Sequence, residues 1–560
     1  MAEVDQAAAP AAPAPSRRAR RLRDAGLCTL AGVLTFVSFP TPLAPEYSFF
    51  PLIWLSHVPL LWVLKDKAPR AAFGWGLFTG LVINTGGYYW IASLLQVFGH
   101  LPLWVAISGL MLHSLHLGLM WGLWAWLINR IGNTTRLGIE WSAPLAMVAI
   151  EIAYPRIFPA YMGNSQYLFP PVMQVVDLFG ITAVTFLLYR VNATAYLWLR
   201  AVKEGRPRPV RITLATAFMV AGTLIYGGVR IAQIDAQVEA APKLRIGVVE
   251  GDVGIFQSES REKRENHLLI NQNLSAQAEA QGAELIVWSE SAFRMRSLPH
   301  DAQRFPPSHA PLVADARADR IANTPMADRM TPIRGFSTPL LFGSTSIELT
   351  NQPRWAGDGN ALPRNTAWLL DGQGNVAGLY DKVYLLAFGE YVPFGKYIPW
   401  IYEVIEAAGN LEPGTQVNLI EADLWGKGLI KLGVFVCYEG ILPEFTRQIG
   451  AQHPHVLINI TNDDWFGKTA ERYLHFALTI PRAIEHRLAF VRGTLTGVSA
   501  FVDPVGRIQA MTSPSDPELL VRDVPLLQTS TVYQVIGDAF GWICFLLTLG
   551  FYVHGRWRRR

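Results

Sequence analysis

Charge is what this chain has least of. Asp, Glu, Lys and Arg make up 16% of its 560 residues, against roughly 25% in soluble domains. A chain this poor in ions cannot keep an ordinary soluble surface wet along its whole length. Cysteine is scarce as well: Cys28, Cys437 and Cys544 stand far apart. Three scattered thiols exclude a disulfide framework and a cysteine-based zinc site, and they leave the redox compartment open. Metal-ligand spacing is absent, no cofactor motif is found, and no internal repeat is evident. A net charge of +4 is too small to indicate a nucleic-acid partner. What is abundant is apolar. Hydrophobic residues reach 51%, with 18 Trp and 28 Phe, and the mean hydropathy is +0.21. That balance excludes a disordered or fibrous chain and predicts lipid-facing surface.

The apolar residues are segregated. Residues 25–233 and 530–553 are greasy, and 243–528 read like a soluble domain. A bilayer core about 30 Å thick needs roughly 20 apolar residues per helix. Seven candidate spans precede the soluble block, at about 26–43, 48–64, 71–95, 101–128, 138–154, 171–199 and 211–232, and an eighth covers 531–553. Cytoplasmic loops collect Lys and Arg. The N-terminal tail carries Arg17, Arg18, Arg20, Arg21 and Arg23, alternate loops carry Lys65, Lys67 and Arg70, then Arg130 and Arg136, then Lys203, Arg206, Arg208 and Arg211, and the C-terminal tail carries Arg556 and Arg558–Arg560. The intervening loops are nearly bare. This alternation predicts both termini in the cytoplasm and the 243–528 domain on the opposite, extracytoplasmic side. Residues 1–24 read as a disordered basic tail and 554–560 as a second basic tail. The basic start and apolar run could pass for a signal peptide, but Pro40, Pro42 and Pro45 follow with no persuasive cleavage pattern, so the run reads as a retained first helix.

Within 243–528, short β-type runs alternate with helical ones, which predicts an α/β core. LRIGVVEG, AELIVWSES, TPLLFGSTSIE, LIKLGVFVCYEG and HVLINITNDDWFG read as strands, NTAWLLDGQGNVAGLY as a hairpin, and 259–281 and 470–487 as helices. Residues 297–335 carry no sustained apolar period and read as a loop insertion over the site.

Three strand ends carry chemistry. Glu290 ends an apolar strand beside Trp288 and Phe293. Partial desolvation there would raise its pKa and suit it to general acid–base work. An ordinary surface glutamate is the bland alternative. Lys382 lies among bulky apolar residues, with Glu390 eight positions on. A buried lysine needs a carboxylate partner, and so held it can offer fixed positive charge to a developing oxyanion. Cys437 follows five apolar residues. A helix start near Leu442 and a nearby lysine would lower its pKa and favour the nucleophilic thiolate; an inert core thiol is the alternative. Cys28 and Cys544 fall in apolar spans and read as inert. His475 and His486 read as packing or surface residues.

A Glu, a Lys and a Cys at strand ends of one α/β domain resemble the triad of the carbon–nitrogen hydrolase (nitrilase) superfamily. The greasy segments around that domain narrow the resemblance to the bacterial apolipoprotein N-acyltransferase family, over roughly residues 26–553. It is carried by AAFGWGLFTGLVINTGGYYWI, FPAYMGNSQYLF, VWSESAF, YDKVYLLAFGEYVPFG, VFVCYEG and TNDDWFG. The resemblance implies a helical membrane domain of about eight spans joined to a nitrilase-like αββα sandwich in a bacterial inner membrane. It implies Glu290 as general base, Lys382 as oxyanion stabiliser and Cys437 as nucleophile. Glu390 would be a second essential glutamate oriented toward Lys382. Tyr438 and Glu439 would flank the nucleophile, with the Tyr438 N–H in the oxyanion hole, and Trp465 would shape substrate entry. The implied partners are a phospholipid acyl donor, a diacylated lipoprotein acceptor and the bilayer, with no metal or other cofactor.

Ser289 and Ala387 stand where the family pattern has proline. Glu250, Asp252 and Leu495 also depart from it and change polarity near the expected pocket, which bears on the acceptor. The alternatives are a membrane-tethered amidase, an N-acyltransferase for another amine, a non-catalytic scaffold, or a transporter, against which stands the lack of mid-span charge apart from Glu151 and Asp177. The intact Glu290, Lys382 and Cys437 speak against the scaffold.

Overall fold

The computed structural model describes residues 16–251, 260–350, 361–395, 397, 409–426, 428–513 and 516–557. Asp252, Arg558 and the residues of 1–15 lie outside them.

The helical part begins earlier than the apolar pattern alone indicates. A helix spans Arg17–Phe36, capped by the Ser16 hydroxyl, which accepts from Ala19 N. Residues 17–24, expected in a disordered tail, are thus helical. Arginine is a good helix former, and buried Asp24 pairs with Arg23 at 3.0 Å and Lys67 at 2.6 Å. At the other end the helix Ala539–Trp557 runs into the expected basic tail. Two described helices, Leu103–Thr134 and Val210–Ala240, are long and apolar enough to cross a membrane by length and composition.

Several expected spans are broken. The one at 48–64 is a 3-10 turn, Phe50–Trp54, followed by Val58–Leu64. That at 71–95 divides into Pro69–Gly87 and Trp90–Val97. The 171–199 segment divides into Pro170–Met173, Val176–Phe179 and Ile181–Glu204, with breaks at Gln174–Val175 and at Gly180, whose φ of 71° needs glycine. The helices Pro69–Gly87 and Leu103–Thr134 pack closely because Gly80 meets Gly118. A Cβ on Gly80 would lie 2.8 Å from the Gly118 backbone, and such small contacts let helices approach in an apolar medium.

The second part is a sandwich of two sheets. The first sheet has the order β13-β1-β2-β4-β5-β6, built from β1 Lys243–Glu250, β2 Leu285–Val287, β4 Leu340–Leu349, β5 Ala361–Leu370, β6 Val376–Asp381 and β13 Glu518–Pro525; β3, Leu298–Pro299, pairs with β4. The second has the order β12-β11-β10-β9-β8-β7, from β7 Ile420–Asp423, β8 Leu429–Val436, β9 Val456–Thr461, β10 Phe490–Thr494, β11 Ala500–Val502 and β12 Ile508–Met511. Ile246, Val248, Leu285 and Val287 face Val434, Val436, Ile458 and Ile460 in one core. The alternate residues Ile286, Trp288, Leu340 and Phe342 pack outward against Leu268 and Ala278 of the helix Arg261–Ala280. Phe445, Ile449, Phe476 and Ile480 come from helices flanking the second sheet. The layers are α, β, β, α, and burial on both faces explains why the strands read as continuous apolar runs.

Residues 297–335 hold β3 and two short helices, Ala316–Ile321 and Met326–Arg329; they pack against the outer helix and the first sheet, and His300 Nε2 reaches Asp381, the neighbour of Lys382, at 2.8 Å. Gln272 donates to Thr331 O at 2.8 Å, Ala316 N to Asn266 at 2.6 Å, and Phe305 meets Trp368 edge-on. Arg334 grips Asp319 with two bonds of 2.7 and 2.8 Å, both side chains buried. Fixed polar contacts of this kind order a segment that has no hydrophobic period.

The two parts are joined by buried charge. Arg487, at the end of the helix Pro481–His486, donates to Asp177 at 2.7 Å, and Asp177 also accepts from Arg230 at 2.9 Å and Tyr226 at 2.7 Å.

Candidate active site

Glu290 follows β2, Lys382 follows β6 and Cys437 follows β8. The strands β2 and β4 are parallel, and β4 and β6 share a direction after two antiparallel steps, so Glu290 and Lys382 leave the first sheet at one edge. Two of the exits are sharp. Ser291 has φ 54° and Cys437 φ 51°. Left-handed backbone at non-glycine residues stores strain, of order 1–3 kcal/mol each, and collects where side-chain aim matters. Gly343 makes room for Glu290: a Cβ there would stand 2.7 Å from the Glu290 Cα.

The expected residues come together. Lys382 Nζ lies 2.8 Å from Glu390 and 3.6 Å from Glu290, and the lysine is 1% exposed. Asn365 Nδ2 donates to Glu290 Oε1 at 2.6 Å and to Glu390 Oε1 at 3.0 Å. The Leu386 N–H donates to the other Glu390 oxygen at 2.8 Å. Glu290 Oε2 is buried and accepts no hydrogen bond within the described residues.

Burial pushes the Glu290 pKa up; Lys382 opposes this and Glu390 reinforces it. Burial disfavours the Lys382 ammonium, but Glu390 and Glu290 outweigh it and hold that pKa above its ordinary value. Cys437 departs from the sequence expectation. Its thiol is pushed up, first by burial and then by the Glu290 charge, and Lys382 only partly offsets them. The helix expected near Leu442 is present as Pro443–Gly450, with Leu442 at its N-cap, but a short 3-10 turn, Cys437–Ile441, separates it from the thiol. The site therefore holds a thiol beside a carboxylate of raised pKa, and proton transfer between them has to accompany any attack by sulfur.

Glu439 ties the nucleophile turn to the lysine strand. It accepts from Val436 N at 2.8 Å, Val383 N at 2.7 Å, Tyr384 N at 3.0 Å and the Tyr380 hydroxyl at 2.8 Å. Burial raises its pKa to about 7, opposed by the Val436, Tyr384 and Tyr380 donors and by the Lys382 charge. Tyr438 turns the other way: its hydroxyl donates to Ile157 O at 2.5 Å and its ring meets Phe158. Trp465 also points to the helical part, its ring 4.8 Å from Phe98, and makes no contact with the triad among the described interactions. Ser289 and Leu495 are buried, and Glu250 is fully buried and accepts from Thr512 at 2.6 Å. The substituted positions thus change interior polarity.

Two groups were not anticipated. Asn365 is one. Its backbone O accepts from Lys382 N at 2.9 Å, so the hairpin register, counted outward from its turn, places it opposite Lys382. The other is a buried ion cluster behind Cys437. Asp463 accepts from His475 and from Arg492, each at 2.8 Å. Burial works against the Asp463 charge, but Arg492 and His475 hold its pKa down to about 2. His475 is thus a bonded interior residue. His486 is also buried.

Residues 31–194 match the family described as apolipoprotein N-acyltransferase N-terminal domain, and 252–534 match carbon-nitrogen hydrolase. A protein of Geobacter metallireducens named apolipoprotein N-acyltransferase is 30% identical over 532 residues, 93% of each chain. One of Bdellovibrio bacteriovorus with the same name is 26% identical over 543 residues, 93% of this chain and 92% of its own. A solved amidase from Nesterenkonia sp. is 22% identical, covering 50% of this chain and 90% of that one, with a TM-score of 0.32. The chain belongs to the apolipoprotein N-acyltransferase family.

Proposed function

We propose that this protein transfers an acyl chain from a phospholipid to the N-terminal amine of a diacylglyceryl-cysteine lipoprotein, through a thioester on Cys437. The carrying observation is the convergence of Glu290, Lys382, Glu390 and Cys437 in one buried cluster, one residue from a tyrosine bonded to the helical part.

In the first half-reaction Glu290 takes the thiol proton as sulfur bonds to the ester carbonyl carbon. The Lys382 ammonium, held by Glu390, and the Tyr438 N–H stabilise the oxyanion. The ester C–O bond breaks, and the lysophospholipid leaves with the proton returned by Glu290. In the second half, the acceptor amine attacks the thioester and gives a proton to Glu290. The C–S bond breaks, and that proton restores the thiol. Burial of the cluster keeps water from the thioester. Because the base must be a carboxylate, the raised Glu290 pKa means acylation is lost as pH falls through a value above the ordinary 4.5.

In this reading eight helical segments cross a bacterial inner membrane, both termini are cytoplasmic, the 243–528 domain is extracytoplasmic, and Trp465 shapes substrate entry beside the helices. The deciding experiment is the intact mass of purified protein after incubation with a defined phospholipid. The wild type should gain one hydroxylamine-labile acyl chain. Cys437→Ala should gain none, and Glu290→Gln and Lys382→Met should acylate at least about a thousandfold more slowly. A folded wild type that takes no acyl group from any phospholipid would refute the proposal.

A further inference from the structure

The turn Asp464–Phe466 and the helix Glu471–Thr479 sit where the domain meets the helices. Phe466 packs edge-on against Trp90 at 5.0 Å, Trp465 packs against Phe98, and Ala470 N donates to the Tyr89 hydroxyl at 3.1 Å. Aromatic residues of this kind mark the level at which a membrane gives way to headgroups. Two arginines converge there. Arg472, on that helix, is 4% exposed, and its Nη2 lies 3.8 Å from Asp464 Oδ1. Its Nε is buried with no hydrogen-bond partner among the described residues. Arg294 stands four residues beyond Glu290, with its Nε bonded to Ser291 O at 2.8 Å. Asp464 and Glu290 both act on its charge, and burial outweighs them to hold its pKa below the ordinary value. Asp464 thus pairs with Arg472, acts on the Arg294 charge, and accepts from Thr496 Oγ1 at 3.5 Å.

The triad chemistry uses none of these three residues. A buried guanidinium nitrogen without a partner is costly, and guanidiniums bind phosphate oxygens through directed, charge-assisted bonds. We propose that Arg294 and Arg472, gathered by Asp464, form the subsite for the phosphate of the acyl donor. The proposal rests on the acyl-transfer reading and deepens it. The phosphate anchored here, beside Glu290 and at the membrane level, leaves the fatty ester to reach Cys437. The chemistry recognised is a phosphate anion. The aromatic belt around it favours a lipid headgroup over a free ion as its source.

The test compares two acyl donors by the rate of acyl-Cys437 formation, read as intact mass: phosphatidylethanolamine in detergent micelles and phosphate-free p-nitrophenyl palmitate. Arg472→Gln should lower the ratio of phospholipid to p-nitrophenyl rate at least about tenfold, mainly through KM. Arg472→Lys should retain most of the ratio. Arg294→Gln should act in the same direction and serves if Arg472→Gln does not fold. An unchanged ratio in both Gln variants, or an equal fall for both donors with KM unmoved, overturns the subsite. Lysophosphatidylethanolamine should inhibit acylation at concentrations where inorganic phosphate does not; equal inhibition marks a free-anion site and overturns donor recognition. A wild type acylated by p-nitrophenyl palmitate but by no phospholipid sinks the acyl-transfer reading itself, a result distinct from any change in ratio between variants.

Discussion

In the helices Trp104, Leu112 and Phe218 point outward, while in the sheets Trp288, Trp368 and Phe342 are wholly enclosed. The two regions use the same residue types and turn them in opposite directions. The helices turn part of their polar complement inward: Asn192 donates to Ile53 O and Leu188 O, each at 2.9 Å, and Tyr189 bonds to His57 at 2.8 Å. The sandwich encloses most of its strand residues and pairs most of the charge that it buries. The two regions thus meet different surroundings. Apolar groups facing outward along long helices suit a lipid or protein neighbour rather than water. Buried ion pairs are costly to desolvate, and beside Cys437 such a pair joins Lys382 to Glu290 and Glu390.

The strongest way to break the comparison is at the joint between the regions. Asp177→Asn removes the carboxylate shared by Arg487 and Arg230 and should cost about 3–5 kcal/mol, since it strands buried charge; thermal unfolding in detergent would read it. Next is the outer helical face. Phe218→Arg, at a site 80% exposed, would be nearly neutral in water but should cost about 2.5–3.5 kcal/mol in a bilayer. Membrane-insertion yield distinguishes the two, and wild-type yield would contradict the lipid-facing assignment.

Within the sandwich, Glu439→Gln should cost about 1–3 kcal/mol by setting an NH2 against one of four N–H or O–H donors. Acylation should slow with it, because Val436 and Val383 would lose their common anchor. The smallest effect concerns pH. With the thiol pKa raised, Cys437 should alkylate more than about tenfold more slowly than free cysteine at pH 7. Its rate should keep climbing above pH 9, the ordinary thiol value. A plateau near neutrality would mean a standing thiolate and a different first step.

Sequence by itself determined the segregation of greasy and polar blocks, the alternating strands and helices, and the three strand ends that carry Glu290, Lys382 and Cys437. Hydropathy and residue period are local properties, and a strand end is legible wherever an apolar run stops at a charged or nucleophilic residue. Helix breaks at Tyr88 and Gly180 were less legible, because the apolar composition continues across them. Only the tertiary structure decided that Asn365 bridges two carboxylates, and that Asp463, His475 and Arg492 form one interior cluster. Each of these joins residues far apart in the chain. The pKa direction of Cys437 was decided there too: a nearby lysine and a helix start argue for a low value, but burial and the Glu290 charge overrule them once the three-dimensional site closes.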